Sequence, residues 1–356
     1  MSQENEYLSR ILGSGSRALA SYAAGELLET HPEAGAGVGP DPFAAWQGWL
    51  AVRVEELAAA VAANHPTLFT SQVQWAKAVL AARGIPTEHF RAGLQSLRSV
   101  LAKELPEQVR PLADEYVGQA LGAFDQEPAD LSARLLPDTP TGRLASTYLL
   151  ALLEGDRRRA RELILEAVDQ GLSVPDVYLQ VLMPAQRELG RMWLAGEINV
   201  AEEHFTSATT KIVMAQLLPR ATFRPPNGKT MLAAAVAGNQ HDIGLQAVGD
   251  FFEMDGWRTI HLGANVPISD LVQAVDCFDA DLLGISASQS TQLPTLKNAI
   301  QAVRERKRGG DVKILVGGLA LAGSEELADE MGADGFASGP GDAVRLGNQL
   351  VGLPTN

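Results

Sequence analysis

TMLAAAVAGNQHDIG, residues 230–244, decides how the C-terminal part of the chain folds. MLAAAVA, 231–237, is an unbroken apolar run bounded by Gly238, and a helical pattern then runs through Phe252. A run this short, followed by a Gly-containing turn, reads as a strand buried on both faces. The same unit recurs along the chain. WRTIHLG, 257–263, precedes a helix from Pro267, and DLLGIS, 281–286, precedes a helix to about Arg308. VKILVGG, 312–318, precedes a helix near 323–331, and DGFAS, 334–338, precedes a helix to Val351. Five alternating units predict a parallel sheet with helices on both faces and right-handed crossovers. Ligands of such sheets bind at the carboxyl ends of the strands. Three short motifs fall just there, after the first, third and fourth runs. Asn239-Gln240-His241-Asp242-Ile243-Gly244 is followed after 41 residues by Ser286-Ala287-Ser288, and after 28 more by Gly317-Gly318.

Upstream the chain reads as helical throughout. Residues 3–30 carry Leu8, Ile11, Leu12, Leu19, Tyr22, Leu27 and Leu28 at helical spacing, with an interruption expected near Gly13-Ser14-Gly15. HPEAGAGVGPDP, 31–42, reads as a linker, so 1–40 is expected to be a helix and linker. Asp41-Pro42 starts a helix whose face is Phe43, Trp46, Leu50, Val54, Leu57 and Val61, and four helices fill 41–128. DQEPAD, 125–130, with Pro137 and Pro140, marks a second connection. Breaks at Gly155-Asp156, Gly171–Pro175 and Gly196–Asn199 divide the next block into helices near 141–154, 156–170, 174–195 and 199–219. That block is taken as 138–224, closed by PPNG at 225–228, and the alternating domain as 228–352.

Composition narrows the function. Lys plus Arg number 29 against 43 Asp plus Glu, a formal charge of −14 that repels nucleic acid and anionic lipid. The one cysteine, Cys277, excludes an intramolecular disulfide or a cysteine metal cluster and is expected to be a core thiol on a helix. No apolar run reaches the ~18 residues of a membrane span, and the first 30 residues lack a secretory pattern, so a cytoplasmic protein is expected.

The three motifs and their spacing resemble the Asp-x-His-x-x-Gly, Ser-x-Leu and Gly-Gly pattern of cobalamin-binding domains. The resemblance implies a flavodoxin-like, doubly wound parallel sheet. It also implies that His241 gives cobalt its lower axial nitrogen, with Asn239, Gln240, Asp242, Ile243 and Gly244 around it. Ser286 would bond the dimethylbenzimidazole of the cofactor tail, with Ser288, Gly317, Gly318 and Gly339 shaping the pocket. Two departures stand out: Asn239 replaces the carboxylate that holds the His, and Ser288 replaces the Leu. An amide oxygen can accept the imidazole N–H but carries no charge, so a weaker nitrogen donor is expected. His261, inside the second strand, is expected to be a packed or surface residue.

Corrinoid domains of this kind carry a four-helix bundle as a cap on the upper face of the ring. Here Trp193, nine residues and then Glu203-His204 resemble the Trp-x9-Glu-His motif of light-sensing cobalamin proteins. The resemblance implies adenosylcobalamin, with Trp193 packed on adenosyl and Glu203 and His204 bonding around it. Leu194 stands where those repressors have a His. Without a basic DNA reader, the helical module, bundle and sheet domain together resemble photocobilins. That implies noncovalent biliverdin, for which Phe43, Trp46, Trp49, Phe69 and Trp75 would line a pocket. His65 and His89 are expected to be structural or surface residues. The leading expectation is therefore a light sensor and not an enzyme, signalling through light-dependent self-association or a partner protein. The alternative is a corrinoid methyl carrier of a methyltransferase system, which shares the bundle, the His and both spacers.

Overall fold

In the computed structural model, residues 2–126, 138–306, 311–322 and 325–354 are described. The chain divides into two compact units, residues 1–132 with 194–196 and residues 133–193 with 197–356. Most of the connection at 125–130, and Pro137, lie outside the described residues.

The first unit is all helical: α1 (Gln3–Thr30), α2 (Pro42–Ala63), α3 (Pro66–Ala82), α4 (Thr87–Glu104) and α5 (Arg110–Gly122). Asp41 caps α2 by accepting from the Ala44 N–H, as the Asp-Pro pair predicts. The expected interruption of α1 is absent. Gly13 and Gly15 cost roughly 1 kcal/mol each relative to Ala, but the buried stripe Leu8, Leu12, Leu19, Ala20, Ala23, Ala24 and Leu27 carries the helix through. Nor does α1 stand apart from the module. The Asn5 amide donates to Val61 O and Asn64 Oδ1, both at 3.0 Å, and the Ser9 hydroxyl donates to Ala58 O at 2.9 Å.

The second unit opens with α6 (Pro140–Leu153), α7 (Arg157–Asp169), α8 (Val174–Val177), a π turn (Tyr178–Leu182), α9 (Met183–Ala195) and α10 (Val200–Leu217). Side-chain oxygens of Thr139, Asp156, Ser173 and Asn199 cap α6, α7, α8 and α10, the last in a reciprocal box with Glu202. α8, the π turn and α9 together make the long third helix of a four-helix bundle.

The sheet follows as β1 (Thr230–Val236), α11 (Ile243–Met254), β2 (Arg258–Val266), α12 (Ile268–Cys277), β3 (Leu282–Ser286), α13 (Leu293–Glu305), β4 (Lys313–Gly317), α14 (Glu325–Glu330), β5 (Gly335–Ala337) and α15 (Pro340–Leu350). The five strands are parallel in the order β2-β1-β3-β4-β5, so the order reverses next to β1, the position at whose carboxyl edge ligands of such sheets bind. β1 and β3 are buried along their whole length, which explains their unbroken apolar composition. α11 serves two cores. Leu245 and Phe252 pack on the sheet with Met231, Ala233 and Leu282, while Ala247 and Met254 lie in the bundle core with Tyr178, Val213 and Met214. Cys277 corrects its expectation: it is exposed in the last turn of α12, where the apolar stripe is carried by Leu271 and Val275.

Candidate functional site

One row of backbone carries Ser286 and Gly317 of the motifs. Ala235 of β1, Ser286 of β3, Gly317 of β4 and Ala337 of β5 are in register across the sheet at its carboxyl edge. The loop after β1 is anchored to this row through Asn239, whose side chain is fully buried. Its Nδ2 donates to Ser286 O at 3.1 Å, which fixes the amide orientation. Oδ1 then accepts the His241 backbone N–H at 3.1 Å and faces His241 Nδ1 at 3.2 Å. Because Oδ1 can only accept, Nδ1 is the protonated ring nitrogen. Nε2 is the ring nitrogen left outside this contact, on a side chain that is exposed.

Ser286 is buried, and among the described residues its Oγ has no hydrogen-bond partner. A hydroxyl left so is costly unless a ligand completes it. Gly318 has φ 103°, a left-handed conformation, and any Cβ there would strike the Ala287 carbonyl. A Cβ on Gly317 would come within 3.0 Å of Ala337 O, so both glycines are needed for the chain to turn at the sheet edge. Gly244 and Gly339, at the starts of α11 and α15, face open space. Ser288 is half-buried and gives its backbone N–H to Gln292 Oε1 at 2.9 Å, and Gln240 is exposed.

Two motif residues turn the other way. The Asp242 carboxylate pairs with Lys211 of α10 at 2.6 Å, and Ile243 packs against the bundle core. Two further residues organise the loop and were not singled out from sequence. Asn265, at φ 55°, accepts the Gly238 N–H at 2.7 Å, and Gln292 donates to Gly238 O at 3.1 Å while accepting from Ser288 and Gln289. Asn before Val-Pro at a strand end is a signal for a left-handed position; a buried Gln just after a strand carries none. On the bundle, Trp193 ends α9 and is 39% exposed. His204 Nδ1 faces Glu203 Oε2 at 2.7 Å, and Glu203 Oε1 accepts the Ser207 hydroxyl at 2.5 Å. His204 precedes Lys211 by seven residues, two turns, so both share one face of α10.

The aromatic set in the first unit does not form the expected pocket. Trp46 and Phe69 are fully buried in the helical core, with the Trp46 indole N–H donated to Ala34 O at 2.9 Å and Trp49 packed edge-on against its ring. Trp75 is half-buried and Phe43 exposed. His65 precedes α3 with Nδ1 2.7 Å from the Thr67 hydroxyl, and His89 lies half-buried in the first turn of α4.

Residues 229–345 match a family described as B12 binding domain, and residues 144–218 match a second family of the same description. A corrinoid protein of Desulfitobacterium hafniense is 31% identical over 207 residues, 57% of this chain and 94% of that protein. Dimethylamine corrinoid protein 1 of Methanosarcina acetivorans is 26% identical over 186 residues, 52% of this chain and 83% of that protein. The solved monomethylamine corrinoid protein of Methanosarcina barkeri shares the fold, with a TM-score of 0.53 at 21% identity over 58% of this chain and 98% of that one. The cofactor class expected from the motifs is thereby established as cobalamin. The light-sensor expectation is overturned, because these relatives are corrinoid proteins and two of them are named for methylamines. The Trp-x9-Glu-His spacing misled because an exposed Trp and an acid-paired His on adjoining bundle helices do not define which upper group they meet.

Proposed function

The chain belongs to the corrinoid proteins, and from that premise we propose that it is the methyl-carrying subunit of a methyltransferase system. Bound cobalamin supplies a cobalt that can take up a methyl group and give it away. The chain's own task would be to hold that cobalt through His241, seat the cofactor tail at Ser286 and the glycines beside it, and offer the cofactor to enzymes that perform the transfers. It is a carrier, and catalysis belongs to its partners.

The observation that carries this reading is the imidazole of His241, fixed through Nδ1 by Asn239 and offering Nε2 at the carboxyl edge of the sheet. A ring held through one nitrogen is aimed through the other, the arrangement that metal-ligating histidines need. Ser286 Oγ, buried and unpartnered among the described residues, suits an acceptor nitrogen in the cofactor tail. Gly244, Gly317, Gly318 and Gly339 add no side chains of their own to that edge. Asn239 takes the place of a carboxylate and provides a neutral acceptor. Gln240 and Ser288 would contribute to the walls of the site, Asp242 and Ile243 tie its loop to the bundle, and the bundle of 138–224 would cap the cofactor held by 228–352. On this reading the group beneath Trp193, Glu203 and His204 is methyl rather than adenosyl, and the helical module of 41–128 has no chromophore to bind. The partner is a protein, a methyltransferase. Among the described residues no helix is long and apolar enough to cross a membrane.

The test is transfer itself. The full chain loaded with isotopically labelled methylcobalamin is incubated with extract of its source organism. The label is expected to leave the protein for a small-molecule acceptor, and to stay when the extract is boiled. Label retained on the protein under both conditions would sink the carrier reading.

A further inference from the structure

Asn265 and Gln292 stand outside the three motifs, yet their bonds converge on one peptide. Gly238 follows β1 in a left-handed conformation, φ 83°, three residues before His241. Its N–H is donated to Asn265 Oδ1 at 2.7 Å, from the end of β2. Its carbonyl accepts from Gln292 Nε2 at 3.1 Å, from the turn after β3. The next residue is held as closely: the Asn239 N–H goes to Val236 O and the Asn239 carbonyl accepts the Asn265 N–H, both at 2.9 Å. Every backbone hydrogen-bonding group of Gly238 and Asn239 is thereby engaged, and the Asn239 side chain carries the constraint on to Ser286 O and His241. Both outer residues are unusual choices. Asn265 adopts φ 55°, which few side chains tolerate. Gln292 is 6% exposed and serves only backbone, its Oε1 accepting the Ser288 and Gln289 N–H groups while Nε2 reaches Gly238. A buried amide and a left-handed side chain are features kept where local geometry has to be fixed.

We infer that Asn265 and Gln292 are positioning residues for the cobalt ligand: they clamp the Gly238 peptide from both sides, so that the loop carrying His241 is already formed in the chain without cofactor. The inference rests on the reading of His241 as that ligand; the clamp itself is a property of the apo chain. Its benefit is entropic, since a loop that must order itself on binding gives up affinity that a preformed loop keeps. The residues that hold a metal-binding histidine are worth about ten- to a hundredfold in affinity. Asn265 and Gln292 act one bond further out, through Asn239, so the low end of that range, about tenfold each, is expected.

Two substitutions separate the clamp from the fold. Gln292→Glu keeps an acceptor for the Ser288 and Gln289 N–H groups but removes the donor to Gly238 O. Asn265→Gly is at ease at a left-handed φ but removes the acceptor for the Gly238 N–H. Asn265→Asp keeps that acceptor and tolerates the same φ, so it is the conservative control. Amide hydrogen exchange of the full-length apo chain reads the clamp directly. In the parent, the Gly238, Asn239 and His241 amides are expected to be protected. In Gln292→Glu and Asn265→Gly they are expected to exchange about tenfold faster or more, as for a lost hydrogen bond. The amides of β1 and β3, followed in the same experiment, report that the sheet is intact. Unprotected amides at this turn in the parent overturn the inference.

Titration with two corrinoids then shows what the clamp acts through. Cobinamide lacks the nucleotide tail, whereas cobalamin carries it. Gln292→Glu and Asn265→Gly are expected to weaken both corrinoids alike, by about tenfold, because the effect passes through His241 and not through the tail. Asn265→Asp is expected to recover most of what Asn265→Gly loses. In a His241→Ala background neither substitution should weaken binding further, the coupling that marks two residues acting as one. A loss confined to cobalamin would assign the pair to the tail pocket, and a loss of full size without His241 would assign them to general stability; either overturns the positioning role. None of these readings involves a methyl group or an acceptor, so their failure leaves the methyl-transfer test untouched, and the reverse holds too.

Discussion

Asn239 shows how much one atom type can decide. Its amide gives an N–H to Ser286 O and turns its oxygen to both N–H groups of His241, so it ties β1 to β3 while it aims the imidazole. Asp at this position would keep the acceptor but set a carboxylate oxygen against the Ser286 carbonyl. Asn239→Asp is therefore expected to lower stability by about 1–3 kcal/mol, the cost of a buried, unsatisfied and partly repulsive pair, read as a lower urea midpoint with unchanged slope. Ser286→Ala makes the opposite prediction. Its Oγ has no partner among the described residues, so the apo chain should keep or gain stability, by up to about 1–3 kcal/mol, the cost of the buried hydroxyl. Cobalamin affinity, measured by titration, should fall about tenfold, the worth of one hydrogen bond. Equal affinity in the two proteins would remove Ser286 from the site. Both residues stood out in the sequence by position, but only the structure gave Asn239 its second bond, because a sequence does not show which carbonyl a buried amide will face. Gln292 was invisible for the same reason, acting through the Gly238 carbonyl, whereas Asn265 before Val-Pro carried a signal for its left-handed position but none for its bond to the Gly238 N–H.

At the scale of elements, the period of the apolar pattern was a sound guide, and a glycine pair inside that pattern was not. The five strands and the four bundle helices lie within a few residues of where alternation and breakers put them, since each is long enough, or buried enough, for its period to dominate. Gly13 and Gly15 were misread as a break because a glycine pair argues locally, whereas the buried face of α1 against α2 acts over the whole helix. The π turn at Tyr178–Leu182 left no mark in the sequence, as its widened hydrogen bonding is a response to packing. Residue type alone favours a core place for Cys277, but it falls outside the buried Leu271–Val275 stripe of α12 and is exposed. The turn after β4 is the element most exposed to test. Gly318→Ala forces a Cβ into the Ala287 carbonyl at a left-handed φ, so a loss of about 2 kcal/mol or more is expected on denaturation. Stability within error of the parent would mean that this loop can re-form without its glycine.

For the molecule as a whole, the bundle and the sheet domain share one helix, α11, and that helix starts at the proposed cobalt ligand. The sequence reached the cofactor but chose the wrong use for it. The lower site is defined by three motifs at set distances, while the upper site rests on Trp193, Glu203 and His204, whose side chains suit more than one axial group. The central claim is that His241 Nε2 holds the cobalt of bound cobalamin. Its most direct measurement is electron paramagnetic resonance of the loaded protein, with cobalt reduced by one electron, prepared once with ordinary histidine and once with heavy-nitrogen histidine. The predicted result is that the nitrogen splitting changes from three lines to two on labelling and that His241→Ala abolishes the dependence on the label. A three-line pattern unaltered by the label would place the cofactor's own base on cobalt and contradict the account.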